Sequence, residues 1–107
     1  MFLENMVLMG QLFPIYKQLL TDRQRDVMAM YYEEDFSLAE IAEQLNITRQ
    51  GVRDNLKRAE NALLHYEETL KVNRKRLSRL DYYRELLPYV ADSDGRELIQ
   101  QLIQQEE

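Results

Sequence analysis

The chain has 107 residues, enough for one domain or for one small domain with a helical extension. Its 14 Lys and Arg against 19 Asp and Glu leave a net charge of -5, so no overall pull draws it toward nucleic acid or an anionic membrane. With no cysteine it has no disulfide, thiolate catalysis or cysteine-ligated zinc, and 45% hydrophobic residues with only three Gly and two Pro describe a helix-rich soluble protein.

The first element repeats apolar residues at helical spacing: Leu8, Leu12, Ile15 and Leu19, with Phe13, Tyr16 and Leu20 alongside. Pro14 is expected to bend it, because proline has no N–H and its ring crowds the carbonyl four residues back, that of Gly10. Glu4, Asn5 and Gly10 interrupt the apolar N-terminus, which lacks the basic start of a secretory signal. No stretch reaches the roughly 18 apolar residues of a membrane span, so the expected location is the cytoplasm, without membrane insertion.

Thr21-Asp22-Arg23-Gln24 reads as a capping box opening a helix that carries Val27, Met28, Met30, Tyr31 and Tyr32 and stops in Glu33-Glu34-Asp35. Ser37-Leu38-Ala39-Glu40 repeats the device, with Phe36 as a staple residue and Ile41, Ala42 and Leu45 as a buried face. Thr48 caps the next helix, whose apolar stripe is Val52, Leu56, Ala59, Leu63, Tyr66 and Leu70. No Gly or Pro follows Gly51 until Pro88, so this helix is expected to be long and to reach Leu80. An amphipathic piece follows around Tyr83, Leu86, Leu87 and Val90. Asp94-Gly95-Arg96-Glu97 is expected to cap a last helix with the stripe Leu98, Ile99, Leu102 and Ile103. The fold class is all-α, divided into residues 1–70 (an N-terminal helix plus a helix-turn-helix) and residues 71–107. After the long helix, the second part is a C-terminal helical hairpin, an extension expected to pack on the same domain or on a partner chain.

The charge is unevenly spread. Residues 1–47 hold three basic and eight acidic residues, residues 48–80 nine basic and four acidic, and residues 81–107 two basic and seven acidic. A basic middle third thus lies between two acidic flanks.

Ser37 to Leu56 carries the most information. Two capped helices meet at Leu45-Asn46-Ile47, with small Ala42 at the crossing, Asn46 able to take a left-handed turn, and Ile47 and Val52 packing the second helix on the first. That is the pattern of a helix-turn-helix. At about 100° per residue, Arg49, Gln50, Arg53 and Lys57 fall on one outward arc, next to Arg58. Arg reads guanine, Gln reads adenine and Lys holds phosphate, so the arc suits duplex recognition; a solvated helix face is the alternative. Glu60 and Asp54, on or beside the arc, weigh against duplex binding.

Three blocks carry a family resemblance: Leu20 to Gln24, Tyr31 to Ala42 and Thr48 to Arg58. Together they resemble the YlxM family, small bacterial helix-turn-helix proteins similar to region four of sigma factors, within the winged-helix-type superfamily. The likeness spans essentially the whole chain. It implies a regulatory role in the signal recognition particle pathway, by binding the particle's GTPase or its RNA. It also sets Arg49, Gln50, Arg53 and Lys57 on a sigma-like recognition helix. Gly51 and Asp54 depart from the charged or amide residues usual there, which speaks against promoter-type base reading.

A second basic run, Lys71 to Arg79, contributes Arg74, Lys75, Arg76 and Arg79 as candidate phosphate contacts, RNA included. The alternative, the usual fate of a surface charge run, is a solvated helix face or one that pairs with the acidic thirds within a monomer or an oligomer. Tyr82 and Tyr83 beside it suit base stacking or burial. His65 has Glu68 three residues on but no further ligand pattern, and Ser37, Ser78 and Ser93 lack triad partners. No enzymatic activity, metal or cofactor is expected. Two functions follow: a regulatory module of the signal recognition particle, or a DNA-binding transcriptional regulator using the helix that starts at Thr48. The apolar stripe of the last helix suggests a homo-oligomer.

Overall fold

Among residues 2–107, which the computed structural model describes with side chains from Glu4 onward, six α-helices and no strand form, as an all-α fold requires. They are α1 (Phe2–Tyr16), α2 (Asp22–Met28), α3 (Leu38–Leu45), α4 (Arg49–Leu70), α5 (Val72–Leu86) and α6 (Ser93–Glu106). The chain divides into two compact units, one ending at Leu70 and the other Lys71–Glu107.

In the first unit, α1 buries Met9, Leu12, Phe13 and Tyr16. Pro14 lies inside it, and the helix ends two residues later at Tyr16, tightening into the 3₁₀ turn Lys17–Leu19. Thr21 then opens α2: its hydroxyl accepts from the Gln24 N–H at 3.2 Å, and the Gln24 amide oxygen accepts from the Thr21 N–H at 3.1 Å. This reciprocal box satisfies donors that a helix start otherwise leaves open. α2 widens at Ala29–Glu33 into a π-helical turn, closed by Asp35 in a left-handed conformation (φ 57°). The extra residue per turn carries Met30, Tyr31 and Tyr32 past the end of α2 and onto the core.

Ser37 and Glu40 form the second box, with bonds of 3.1 and 3.0 Å. α4 packs on α1, α2 and α3 through Val52, Leu56, Ala59 and Leu63, all buried. Completing the cluster are Val27, Met28 and Ile41, which are fully enclosed. Each such side chain contributes about 1.5–3 kcal/mol by leaving water, which is what holds the short helix α3 against α4.

The second unit departs from the sequence expectation at both ends. One long helix to Leu80 does not form. Lys71 takes a left-handed conformation (φ 57°, ψ 29°) and separates α4 from α5. A long side chain in that region costs about 1–2 kcal/mol, so packing that exceeds this cost must select it. Within the second unit α5 buries Asn73 and Leu80, and α6 buries Ile99. α6 is capped by Asp92, not by Asp94: the Asp92 carboxylate accepts from the Gly95 N–H at 3.0 Å, and Asp94 lies in the first turn. The apolar stripe of α6 divides, with Ile99 buried and Ile103 half-buried while Leu98 and Leu102 are exposed. Among the described residues, no helix is long and apolar enough to cross a membrane.

Candidate nucleic-acid interface

The outward arc of α4 is set by what its opposite face buries. α3 ends at Asn46, whose left-handed conformation (φ 55°, ψ 48°) lets the Ile47 N–H reach back to the Ala42 carbonyl at 3.0 Å. An Asn tolerates that geometry better than other residues with a Cβ. Thr48 follows, and its hydroxyl accepts from the Gly51 N–H at 2.9 Å, capping α4. With Val52, Leu56, Ala59 and Leu63 turned into the core, Arg49, Gln50, Arg53 and Lys57 stand exposed on an arc of about 100°. Arg58 is exposed too, but it lies about 100° further round the helix from Lys57 and belongs to a different face.

The guanidinium and ammonium groups of Arg49, Arg53, Lys57 and Arg58 pair with no carboxylate among the described residues. The two acids near the arc are engaged elsewhere. Asp54 accepts from the Gln50 amide nitrogen at 2.9 Å, which takes one of its two N–H donors and fixes the side chain along the helix. Glu60 accepts a hydrogen bond from the Tyr32 hydroxyl. Burial first, then this bond to the Glu60 carboxylate, push the Tyr32 phenol above its ordinary range, so it remains a donor at physiological pH. The Tyr31 and Tyr32 rings meet edge-to-face, with centroids 5.0 Å apart.

The basic run of α5 is placed differently. Arg76 donates to the Glu106 backbone carbonyl at 2.7 Å and, through Nε and Nη2, to the Asn73 side-chain oxygen. Arg79 pairs with the Glu106 carboxylate at 2.9 Å, and Arg84 with Glu107 at 3.2 Å. All three thus gather at the C-terminus of α6, where unpaired carbonyls and two glutamates make the potential negative. Arg74 and Lys75 are exposed. The nine residues singled out in the sequence therefore fall into two sets in separate units: five on α4, whose four cations pair with no carboxylate among the described residues, and four on α5, of which Arg76 and Arg79 are held by the end of α6.

The remaining candidates are dispersed. His65 is exposed, and no group of three metal-ligating side chains gathers among the described residues. Glu33, Glu34 and Asp35 are exposed, Tyr82 is exposed and Tyr83 half-buried. Among the pairings that sequence reasoning missed are Tyr32 with Glu60 and Arg76 with Asn73. The first joins residues 28 apart in the chain, which no local pattern reports. The second was available as an i, i+3 pair on one helix face.

The chain matches a known family over nearly its whole length. The UPF0122 family, described as "Putative helix-turn-helix protein, YlxM / p13 like", matches residues 3–104. A UPF0122 protein of Bacillus pumilus is 41% identical over 104 residues, covering 97% of this chain and 94% of the relative. The UPF0122 protein YlxM of Bacillus subtilis shows the same identity and coverage. A Lactococcus lactis UPF0122 protein reaches 47% over 79 residues, 74% of this chain and 71% of its own.

Proposed function

Because the chain belongs to the UPF0122 family, YlxM / p13 like, we propose that it is a cytoplasmic regulatory protein of the signal recognition particle pathway. It binds the particle's RNA through the basic arc of a sigma-region-four-like helix-turn-helix, and it acts by binding rather than catalysis. The observation that carries the reading is the free charge of α4. Arg49, Arg53 and Lys57 are exposed without acidic partners, whereas Arg76, Arg79 and Arg84 of α5 are held by α6. Unpaired cations on one helix face release counterions when they meet phosphates, and this supplies sequence-independent affinity.

A DNA-reading role would use the same arc for base edges. Asp54 holds the Gln50 amide along the helix, and a base edge would have to share or displace that bond, so phosphate contact is favoured over base reading.

The test titrates the full chain against particle RNA, a scrambled DNA duplex and the particle GTPase at two salt concentrations. RNA is expected to bind with a steep salt slope, and Arg53→Ala or Lys57→Ala is expected to lower that slope by about one each. Unchanged RNA affinity in both variants refutes the reading, and so does salt-independent binding to the GTPase that is tighter than to RNA. A preference for one duplex sequence, lost selectively in Arg53→Ala, favours the DNA-reading regulator. The pathway assignment further requires a change in the particle's GTP hydrolysis rate when the protein is added; an unchanged rate counts against it.

A further inference from the structure

A groove of about 410 Å3 opens beside the arc, between α1, the π turn, α3 and α4. Its size lies within the range of small-ligand sites. Exposed Arg53 and Lys57 border it, with buried Leu56 and half-buried Tyr31, Tyr32 and Glu60. The Tyr32 hydroxyl holds the Glu60 carboxylate in place, and that carboxylate retains lone pairs for a further donor.

The groove therefore offers cations, an aromatic wall and one fixed acceptor. A nucleotide satisfies all three: its phosphate meets the cations, its base faces the rings, and an N–H on the base edge meets the carboxylate. An acidic peptide satisfies the cations but sets a second carboxylate against Glu60. A paired base has its Watson–Crick edge in use, so the base must be unpaired. Guanine carries two adjacent N–H donors on that edge, the pattern two carboxylate oxygens accept, whereas uracil carries one N–H between two acceptors.

We propose that this groove receives an unpaired guanine nucleotide of a bound RNA, its phosphate on Arg53 and Lys57, its base beside Tyr31 and its Watson–Crick edge on Glu60. The inference rests on the RNA-phosphate reading above and names the class of RNA that the arc selects.

The experiment measures binding of the full chain by fluorescence anisotropy to four labelled RNA stems. One is fully paired, and the others carry a single bulged guanosine, adenosine or uridine. The bulged guanosine stem is expected to bind roughly tenfold tighter than the paired stem, the scale of one base stacked on an aromatic side chain. It is also expected to bind several-fold tighter than the other two bulges. Equal affinity for paired and bulged stems overturns the proposal, as does a bulged uridine bound as tightly as guanosine. Glu60→Gln, with its fold checked by circular dichroism, is expected to abolish the preference for guanosine over adenosine. Tyr31→Leu is expected to narrow the gap between bulged and paired stems. Retention of both preferences in these variants overturns the proposal.

Guanosine monophosphate at the same concentration is expected to leave the complex intact, since it carries no flanking phosphodiesters. If it competes as well as the bulged stem, the groove is a free-nucleotide site and the proposal fails. An acidic peptide that displaces the bulged stem at equal concentration also defeats it. Failure of the underlying phosphate reading looks different: Arg53→Ala then leaves paired and bulged affinities alike unchanged.

Discussion

Replacing Gly51 by alanine sets two local effects of similar size against each other. Gly51 sits in the first turn of α4, where alanine is favoured over glycine by about 0.8–1 kcal/mol. A Cβ built there comes 3.2 Å from the Thr48 hydroxyl oxygen, the same atom that accepts the Gly51 N–H at 2.9 Å. Thr48 has little freedom to give way, because a β-branched side chain is stiff about χ1 and rotating it breaks the cap. A lost cap costs typically about 1 kcal/mol. Gly51→Ala in the natural chain is therefore expected to change stability by less than about 0.5 kcal/mol. In a Thr48→Ala background the obstructing oxygen is gone, and the same substitution is expected to stabilise by the full amount, about 1 kcal/mol. The assay is urea denaturation of the four chains of this double-mutant cycle, followed by circular dichroism. Equal gains in the two backgrounds would refute the argument, since the coupling between Cβ and cap would then be zero.

Three further predictions follow from the same contacts. Asn46→Ala should cost about 1 kcal/mol, roughly 4–8 °C in Tm, because alanine must hold φ 55° without the Asn tolerance, while Asn46→Gly should cost less; a glycine variant less stable than the alanine one contradicts this. Arg79→Ala should cost under about 1 kcal/mol, and less in 1 M salt, because Arg79 itself is about half exposed although its partner Glu106 is half-buried. Arg76→Ala should cost more, because Arg76 bonds the buried Asn73 and a helix-end carbonyl together; thermal melts of both variants at two salt concentrations decide. The Ser37 N–H, then the Ser37 hydroxyl, hold the Glu40 carboxyl below its ordinary value of 4.5. A lowered folded-state value means that the stabilisation is present above pH 4.5 and is lost as pH falls through the lowered value. Glu40→Gln should accordingly flatten the acid side of the Tm profile against pH, and an identical profile would contradict the assignment.

The candidate site was partly legible before any coordinates. Arg49, Gln50, Arg53 and Lys57 follow from helical spacing once Val52, Leu56, Ala59 and Leu63 are taken as the buried stripe. What spacing leaves out is who else reaches that face. Whether Arg53 is free while Arg79 is paired depends on acids brought near by other elements, here Glu106 at the far end of α6. The Tyr32 to Glu60 bond that shapes the groove is likewise set by the π turn, which the acidic run Glu33-Glu34-Asp35 did not announce.

The sequence by itself determined the local events. Thr21, Ser37 and Thr48 start helices because their hydroxyls satisfy open N–H groups within three residues, and Asn46 turns the chain because its backbone tolerates a positive φ. These interactions are short-range, so the residue types alone carry them. Tertiary structure decided the break at Lys71, where neither Gly nor Pro marks a boundary. There a lysine takes a left-handed conformation that costs about 1–2 kcal/mol, and no local residue pattern marks it. It also decided the meaning of the charge. The net -5 that speaks against nucleic acid is an average over a chain whose C-terminal glutamates pair with Arg79 and Arg84 of α5 and leave the cations of α4 without acidic partners among the described residues. Ion pairing depends on proximity in space, and composition holds no record of it.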